Sequence, residues 1–160
     1  KWYSPLTNQT YNFQSSYERE FMNFLDNNKI IWIKNKTRYP YMKENKIHNY
    51  IPDFYLPEAD MYIEVKGFLR KSDPLKFNAF PNDKKLALLC YDDMIRLNCN
   101  VFNPEQSVNK SLDGWPMNIL SRSDEWQQRA ELSEDLKTKV SSDKFFNFLE
   151  DKHLWKKIQN

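Results

Sequence analysis

A chain of 160 residues with 16% aromatics and 2 glycines is long enough to bury one good core and too aromatic to be disordered or low-complexity. Its net charge of +2 is close to neutral, so overall charge does not by itself announce nucleic-acid binding. No signal peptide and no apolar run of membrane length is visible, and the two cysteines, Cys90 and Cys99, have no metal-ligand spacing.

Residues 1–13 read as an irregular or short extended arm; the chain opens at Lys1 rather than Met, which leaves an upstream region open. Ser15 and Ser16 offer a helix cap, and Tyr17, Phe21, Phe24 and Leu25 recur at helical spacing, which predicts a helix over 16–27. Glu18 lies at the edge of that stripe, where its side chain can reach over a sheet. Its plainer role is a capping-box carboxylate answering Ser15. A strand is expected over 30–35, followed by a basic loop. Lys29, Lys34, Lys36, Arg38, Lys43 and Lys46 cluster here against the single acid Glu44, with Trp32, Tyr39 and Tyr41 interleaved. That mixture suits phosphate contacts with stacking, and it also suits an ordinary solvated strand and loop.

The next stretch, Tyr50-Ile51-Pro52-Asp53-Phe54-Tyr55-Leu56-Pro57, a turn at Glu58-Ala59-Asp60, then Met61-Tyr62-Ile63-Glu64-Val65-Lys66, reads as a hairpin. Strand alternation places Glu64 and Lys66 on one face, and Asp53 with Ile51 and Tyr55 on one face of the partner. In ordinary register Asp53 stands beside Glu64 and Lys66. A lone Glu-x-Lys usually decorates a solvated face. Two adjacent carboxylates, however, repel unless a cation sits between them, and hard oxygens suit Mg²⁺ or Mn²⁺. With Glu18 upstream, the set reads as a phosphodiesterase-type site.

Downstream, Ser72-Asp73-Pro74 predicts a short helix over 72–80, the apolar run at 84–91 a buried strand, and 92–97 a short helix. A strand following a crossover helix is expected to lie parallel to a neighbour. Cys90, inside that run, reads as a core thiol in a reducing, intracellular compartment. Residues 98–120 read as a linker or long loop. Segments 124–140 and 142–158 look helical, with Trp126, Ala130, Leu132 and Leu136 marking one apolar side and Phe145, Phe146, Leu149 and Trp155 the next. Such helices cover a sheet, make a dimer contact or form a small DNA-reading lobe, and core packing is the commonest of these uses. No internal repeat and no glycine-rich phosphate loop is present. By strand parity His48 falls on the face opposite Asp53, and His153 sits in the last helix. Neither has a Cys or Ser partner at useful spacing.

A helix glutamate, Pro-Asp and Glu-x-Lys, in this order, resemble the PD-(D/E)xK nuclease superfamily. More narrowly, Phe13-Gln14-Ser15-Ser16-Tyr17-Glu18, Pro52-Asp53-Phe54-Tyr55-Leu56-Pro57, Ile63-Glu64-Val65-Lys66-Gly67-Phe68 and Lys71-Ser72-Asp73 look like the phage endonuclease-I type junction resolvases and related phage homing nucleases. The likeness covers residues 13–92, and the part from Asn98 onward has no match to the resolvases. The resemblance implies an α/β fold with a restriction-endonuclease-like core, a mixed central sheet flanked by helices, and a C-terminal helical extension. The division expected is 1–97 for the nuclease core with its arm, 98–120 for the linker and 121–160 for the helical extension.

The function so implied is a metal-dependent DNA endonuclease leaving 5′-phosphate ends. Glu18, Asp53, Glu64 and Lys66 are the catalytic set. Asp53, Glu64, Glu18 and the carbonyl of Val65 are the expected ligands for Mg²⁺, with Mn²⁺ as a substitute. Lys34, Lys36, Arg38, Lys43 and Lys46 are the expected DNA contacts. The partner is DNA, the assembly a homodimer or a subunit of a larger complex, the setting the host cytoplasm if phage-encoded, with no membrane. A catalytic or DNA-binding subunit of a larger nuclease, transposase or phage DNA-processing complex is the alternative. A noncatalytic binding module on the same fold would not need the intact Asp53, Glu64 and Lys66.

Overall fold

The two faces of one short strand organise the molecule. The computed structural model describes residues 1–13, 15–103 and 126–157, with the side chains of 126–127 excepted. The elements in chain order are β1 (Trp2–Ser4), β2 (Gln9–Tyr11), α1 (Ser16–Asn27), β3 (Ile33–Lys34), β4 (Tyr39–Lys43), β5 (Lys46–Tyr50), β6 (Phe54–Leu56), β7 (Met61–Val65), β8 (Leu69–Arg70), α2 (Asp73–Ala79), β9 (Lys85–Leu89), α3 (Tyr91–Arg96), β10 (Trp126–Gln127), α4 (Glu134–Lys139) and α5 (Asp143–Asp151). The central sheet is four-stranded, in the order β3-β6-β7-β9. Its first three strands are antiparallel, and β9, reached through α2, runs parallel to β7 as a crossover requires.

Strand β9 turns Ala87 and Leu89 toward one core layer and Leu86 and Leu88 toward the other, and all four are buried. The first layer joins Phe54, Ile63 and Val65 of the sheet to Tyr17, Phe21, Met22 and Leu25 of α1 and to Phe145, Phe146 and Leu149 of α5. The second gathers Tyr39, Tyr50, Leu69, Phe77 and Phe80 with Leu132, Leu136 and Val140. The aromatic stripe of α5 is therefore core, and α4 and α5 lie on opposite faces of β9. Burying side chains of this size stabilises by roughly 1.5–3 kcal/mol each, so the C-terminal helices help hold the central sheet together.

Several elements differ from the sequence expectation, each for a local reason. The helix over 16–27 forms as expected, with Ser15 Oγ accepting the Glu18 N–H at 3.2 Å. The strand over 30–35 shortens to Ile33–Lys34, because the chain leaves α1 through Lys29 at φ 56° and packs Ile30 and Trp32 into the core first. The N-terminal arm is a hairpin, with Trp2 Nε1 and Ser4 Oγ both donating to Asp26 at 3.1 and 2.9 Å.

The basic loop is a second hairpin, β4–β5, turning at Glu44 and Asn45. Both have positive φ, 52° and 61°, the two-residue turn whose twist matches paired strands. Tyr50 consequently ends β5 instead of opening the strand that carries Asp53. Segment 124–140 is not one helix: Trp126 and Gln127 pair with β8, a 3-10 turn spans Arg129–Glu131, and Ser133 Oγ starts a new helix by accepting the Leu136 N–H. Segment 142–158 ends early. His153 at φ 58° lets Leu154 N–H reach Leu149 O at 2.9 Å, which closes α5 at Asp151. Of the linker expected over 98–120, the part from 104 onward lies outside the described residues. Cys90 is half-buried rather than core, and Cys99 is buried, with its thiol pushed up to about 11 by burial. No described helix is long and apolar enough to cross a membrane.

Candidate active site

The pairing of β6 with β7 sets Phe54 opposite Ile63 and Tyr55 opposite Tyr62, so the next step along both strands brings Asp53 to Glu64. The contact is direct. Asp53 N–H donates to Glu64 Oε2 at 3.2 Å, and Val65 N–H donates to Asp53 Oδ2 at 2.9 Å. Glu64 Oε2 also accepts the Tyr50 hydroxyl at 3.1 Å, from the last residue of β5. Asn35 fixes the approach to Asp53: its backbone N–H reaches Asp53 O at 3.1 Å and its side-chain amide reaches Pro52 O at 2.9 Å. Each carboxylate thus has one oxygen, Asp53 Oδ2 or Glu64 Oε2, tied into the fold by these bonds.

Lys66 completes the cluster. Its Nζ lies 3.8 Å from Glu64 Oε1 and 3.2 Å from Asp73 Oδ1. Asp73 is fully buried at the start of α2, where Lys76 Nζ at 3.2 Å and Arg70 N–H at 2.7 Å also reach it. Sequence reading took Ser72-Asp73 as a helix cap, and Ser72 makes no side-chain capping bond. The carboxylate of Asp73 instead positions Lys66. An Asp seven residues after the lysine, at a helix start, was the available signal; the missing information was the packing that brings the start of α2 to Lys66. Tyr50 was likewise not anticipated, because its role depends on a hairpin read as a loop, and Asn35 was read only as the end of a strand, whereas it follows β3 and bonds Pro52 O and Asp53 O.

Electrostatics here oppose the charges that geometry assembles. Burial pushes the Asp53 carboxyl up to about 6; the Val65 N–H bond, Lys34 and Lys66 counter this and the charge of Glu18 adds to it. Burial, then the neighbouring Asp53, pushes Glu64 well above the usual carboxylate range, with Lys66 and Tyr50 opposing. Burial works against the Lys66 charge, but Glu64, Asp73 and Asp53 outweigh it and hold its pKa above the ordinary lysine value. Lys66 is a resident cation. Tyr50, buried beside Glu64, is held well above the ordinary phenol value and stays a hydroxyl donor.

Glu18 reaches toward this end of the sheet from α1, and Lys34 Nζ of β3 meets its Oε2 at 2.9 Å while lying 4.7 Å above the Phe54 ring. The five basic residues expected to contact DNA therefore separate. Lys34 is at the carboxylate cluster; Lys36 and Arg38 are exposed on the following connection; Lys43 and Lys46 pair across the tip of β4–β5. His48 belongs to β5, stacked on Tyr41 at 5.5 Å, in a different strand pair from Asp53. Among the described residues no group of three or more His, Cys, Asp or Glu side chains forms a metal-holding cluster. Asp53 and Glu64 are a pair of hard-oxygen donors. Glu64 is buried, Asp53 is half-buried, and both have raised pKa values. That donor chemistry fits Mg²⁺ or Mn²⁺, which would relieve their repulsion. Compared with known proteins, the chain matches no family model, no curated protein and no solved structure.

Proposed function

We propose that this protein is a metal-dependent DNA endonuclease built on a restriction-endonuclease-like core. The observation that carries the reading is the Asp53–Glu64 pair: a half-buried and a buried carboxylate, each anchored through one oxygen, with the Lys66 ammonium 3.8 Å from Glu64. Two carboxylates drawn this close, with both pKa values raised, make a cation bound beside them favourable. Asp53 and Glu64 would hold Mg²⁺, with Val65 beside them and Glu18 at the margin. When bound, the ion supplies Lewis acidity toward water and phosphoryl oxygen.

The chain's own residues do the rest. Lys66, whose charged form its acidic neighbours favour, is a poor base and a good electrostatic partner for charge building on the nonbridging oxygens of a phosphodiester. Asp73 holds that ammonium in place at 3.2 Å, which removes the cost of orienting it during the reaction. Tyr50 and the Asp53 N–H fix Glu64, and Lys34 compensates Glu18. The resemblance to the PD-(D/E)xK nucleases implies products with 5′-phosphate and 3′-hydroxyl ends. Cutting both strands requires two such sites, so the active form is a homodimer or part of a larger assembly.

The test incubates the protein with a four-way junction, a matched linear duplex and phage genomic DNA, each with and without Mg²⁺. Mg²⁺-dependent cutting of at least one of them, leaving ligatable 5′-phosphate ends, is the expected result. Intact DNA in all three with either Mg²⁺ or Mn²⁺ removes the reading.

A further inference from the structure

Two ammonium groups flank the Asp53–Glu64 pair. Lys66 follows β7 and Lys34 ends β3, and the strand order β3-β6-β7 sets Asp53, which leads into β6, between them. Lys34 pairs in register with Phe54, the residue after Asp53. Its Nζ lies 2.9 Å from Glu18 Oε2 and 4.7 Å from the centre of the buried Phe54 ring. Asn35, the next residue, ties the strand to Asp53 O and Pro52 O. The Glu18 side chain is 8% exposed and that of Lys34 28%, so this is not a solvated surface pair held by charge alone. The charges of Lys34, Lys66 and Glu18 all act on Asp53.

The charge balance limits what the cluster accepts. Glu18, Asp53, Glu64 and Asp73 bring four negative charges when ionised, and Lys34, Lys66 and Lys76 bring three positive ones. One negative charge is left over. A single divalent ion turns that to one positive charge, a sign that suits a phosphodiester. A second ion would turn it to three positive charges, with the Lys34 ammonium already on a Glu18 oxygen. Two-ion sites use the second ion as a clamp on the substrate oxygens, roughly 3.5–4 Å from the first.

Resting on the metal-site reading above, we infer that Lys34 stands in for a second cation: each chain holds one divalent ion, on Asp53 and Glu64, and the Lys34 ammonium offers the other positive charge to the substrate phosphate. Glu18 is then a positioning residue for Lys34 and not an ion ligand. The two lysines are held alike. Glu18 comes from the first turn of α1 and Asp73 from the first turn of α2, and each fixes an ammonium, at 2.9 and 3.2 Å, on its own side of the carboxylate pair.

The experiment counts the Mn²⁺ ions bound per chain in the protein without DNA, from the EPR signal of the free ion. The wild type should bind one, and so should Lys34→Arg, which keeps the charge. Lys34→Met keeps the stem over Phe54 and loses the charge, so it should bind two. Adding Glu18→Gln to Lys34→Met should return the count to one. In single-turnover cleavage below saturation, the order in Mg²⁺ should rise from about one in the wild type to about two in Lys34→Met. A lysine that only neutralised Glu18 would alter thermal stability and leave the count at one. Two ions in the wild type, one in Lys34→Met, or a second ion in Lys34→Met that survives Glu18→Gln overturns the inference. Should Lys34→Met not fold, the wild-type count decides. If the wild type binds no Mn²⁺, or keeps its ion in Asp53→Asn, the metal-site reading falls first and the role of Lys34 with it.

Discussion

Two neighbouring hairpins in this molecule treat charge in opposite ways. At the end of β6–β7, Asp53, Glu64, Lys66 and Asp73 are drawn into a half-buried cluster, and each is held by hydrogen bonds or ion pairs at 2.7 to 3.8 Å. On β4–β5, Lys46, Ile47, His48 and Asn49 all face solvent, and even Met42 is 56% exposed. The buried hairpin accepts a standing electrostatic penalty, visible as the raised pKa values of both carboxylates. The exposed one accepts none, since a solvated lysine loses little. A penalty retained in a folded protein marks where a ligand of opposite charge would be most stabilising, whereas exposed cations mark where a long, screened, polyanionic partner would pass. The two hairpins are joined at Tyr50, which ends one and bonds to the carboxylate of the other.

This contrast can be broken most severely at the buried end. Asp53→Asn or Glu64→Gln should lower cleavage by about 10³-fold or more while DNA binding is kept or slightly tightened, since each removes charge needed for the cation and little volume. Next in size, Lys66→Ala should cost at least ~2 orders of magnitude in cleavage rate, the scale of one lost transition-state contact. A rate unchanged in single-turnover assays would reduce Lys66 to a strand residue.

The penalty itself is measurable as stability. With the Asp53 carboxyl raised from 3.8 to about 6, the folded protein binds more protons than the unfolded one in that window. In metal-free buffer Asp53 therefore contributes stability below about pH 4 that is lost as pH rises past about 6, and the raised Glu64 acts in the same direction. Urea unfolding of wild type and Asp53→Asn from pH 4 to 7 should show the variant gaining relative stability across that range, and Mg²⁺ should stabilise the wild type more at the upper end. A flat difference would mean that the carboxylates are not strained.

The smallest effect separates the lysines. Lys34→Gln, which deprives Glu18 of its 2.9 Å partner, should alter cleavage more than binding. Neutralising Lys36 and Arg38 should do the reverse, flattening the salt dependence of binding by up to about one unit of slope per lost phosphate contact. Identical behaviour of the two variants would dissolve the distinction between the cluster and the basic surface.

What could be read from the sequence follows the same boundary. The α1 limits, the β6–β7 turn, the parallel strand after α2 and the meeting of Asp53 with Glu64 were all legible, because period, capping and alternation act over a few residues. The β4–β5 hairpin was not, since its turn is Glu44-Asn45 rather than a glycine turn, and the lysines around it look like a loop. Asp73 was legible as a helix start but not as the partner of Lys66, because that contact depends on how β8 and α2 pack. The early end of α5 depends on His153 adopting a left-handed conformation, which an imidazole does not advertise.

The central claim is that Asp53 and Glu64 hold a divalent cation for phosphodiester hydrolysis. Its most direct test is a Mg²⁺ titration of cleavage of a four-way junction and a linear duplex, run side by side on the wild-type protein and Glu64→Gln. The account predicts cutting that rises from nothing with Mg²⁺ in the wild type and stays absent in the variant at every concentration, with junction binding preserved in both. Cutting by Glu64→Gln with the wild-type Mg²⁺ dependence, or cutting by the wild type in the presence of chelator, would contradict it.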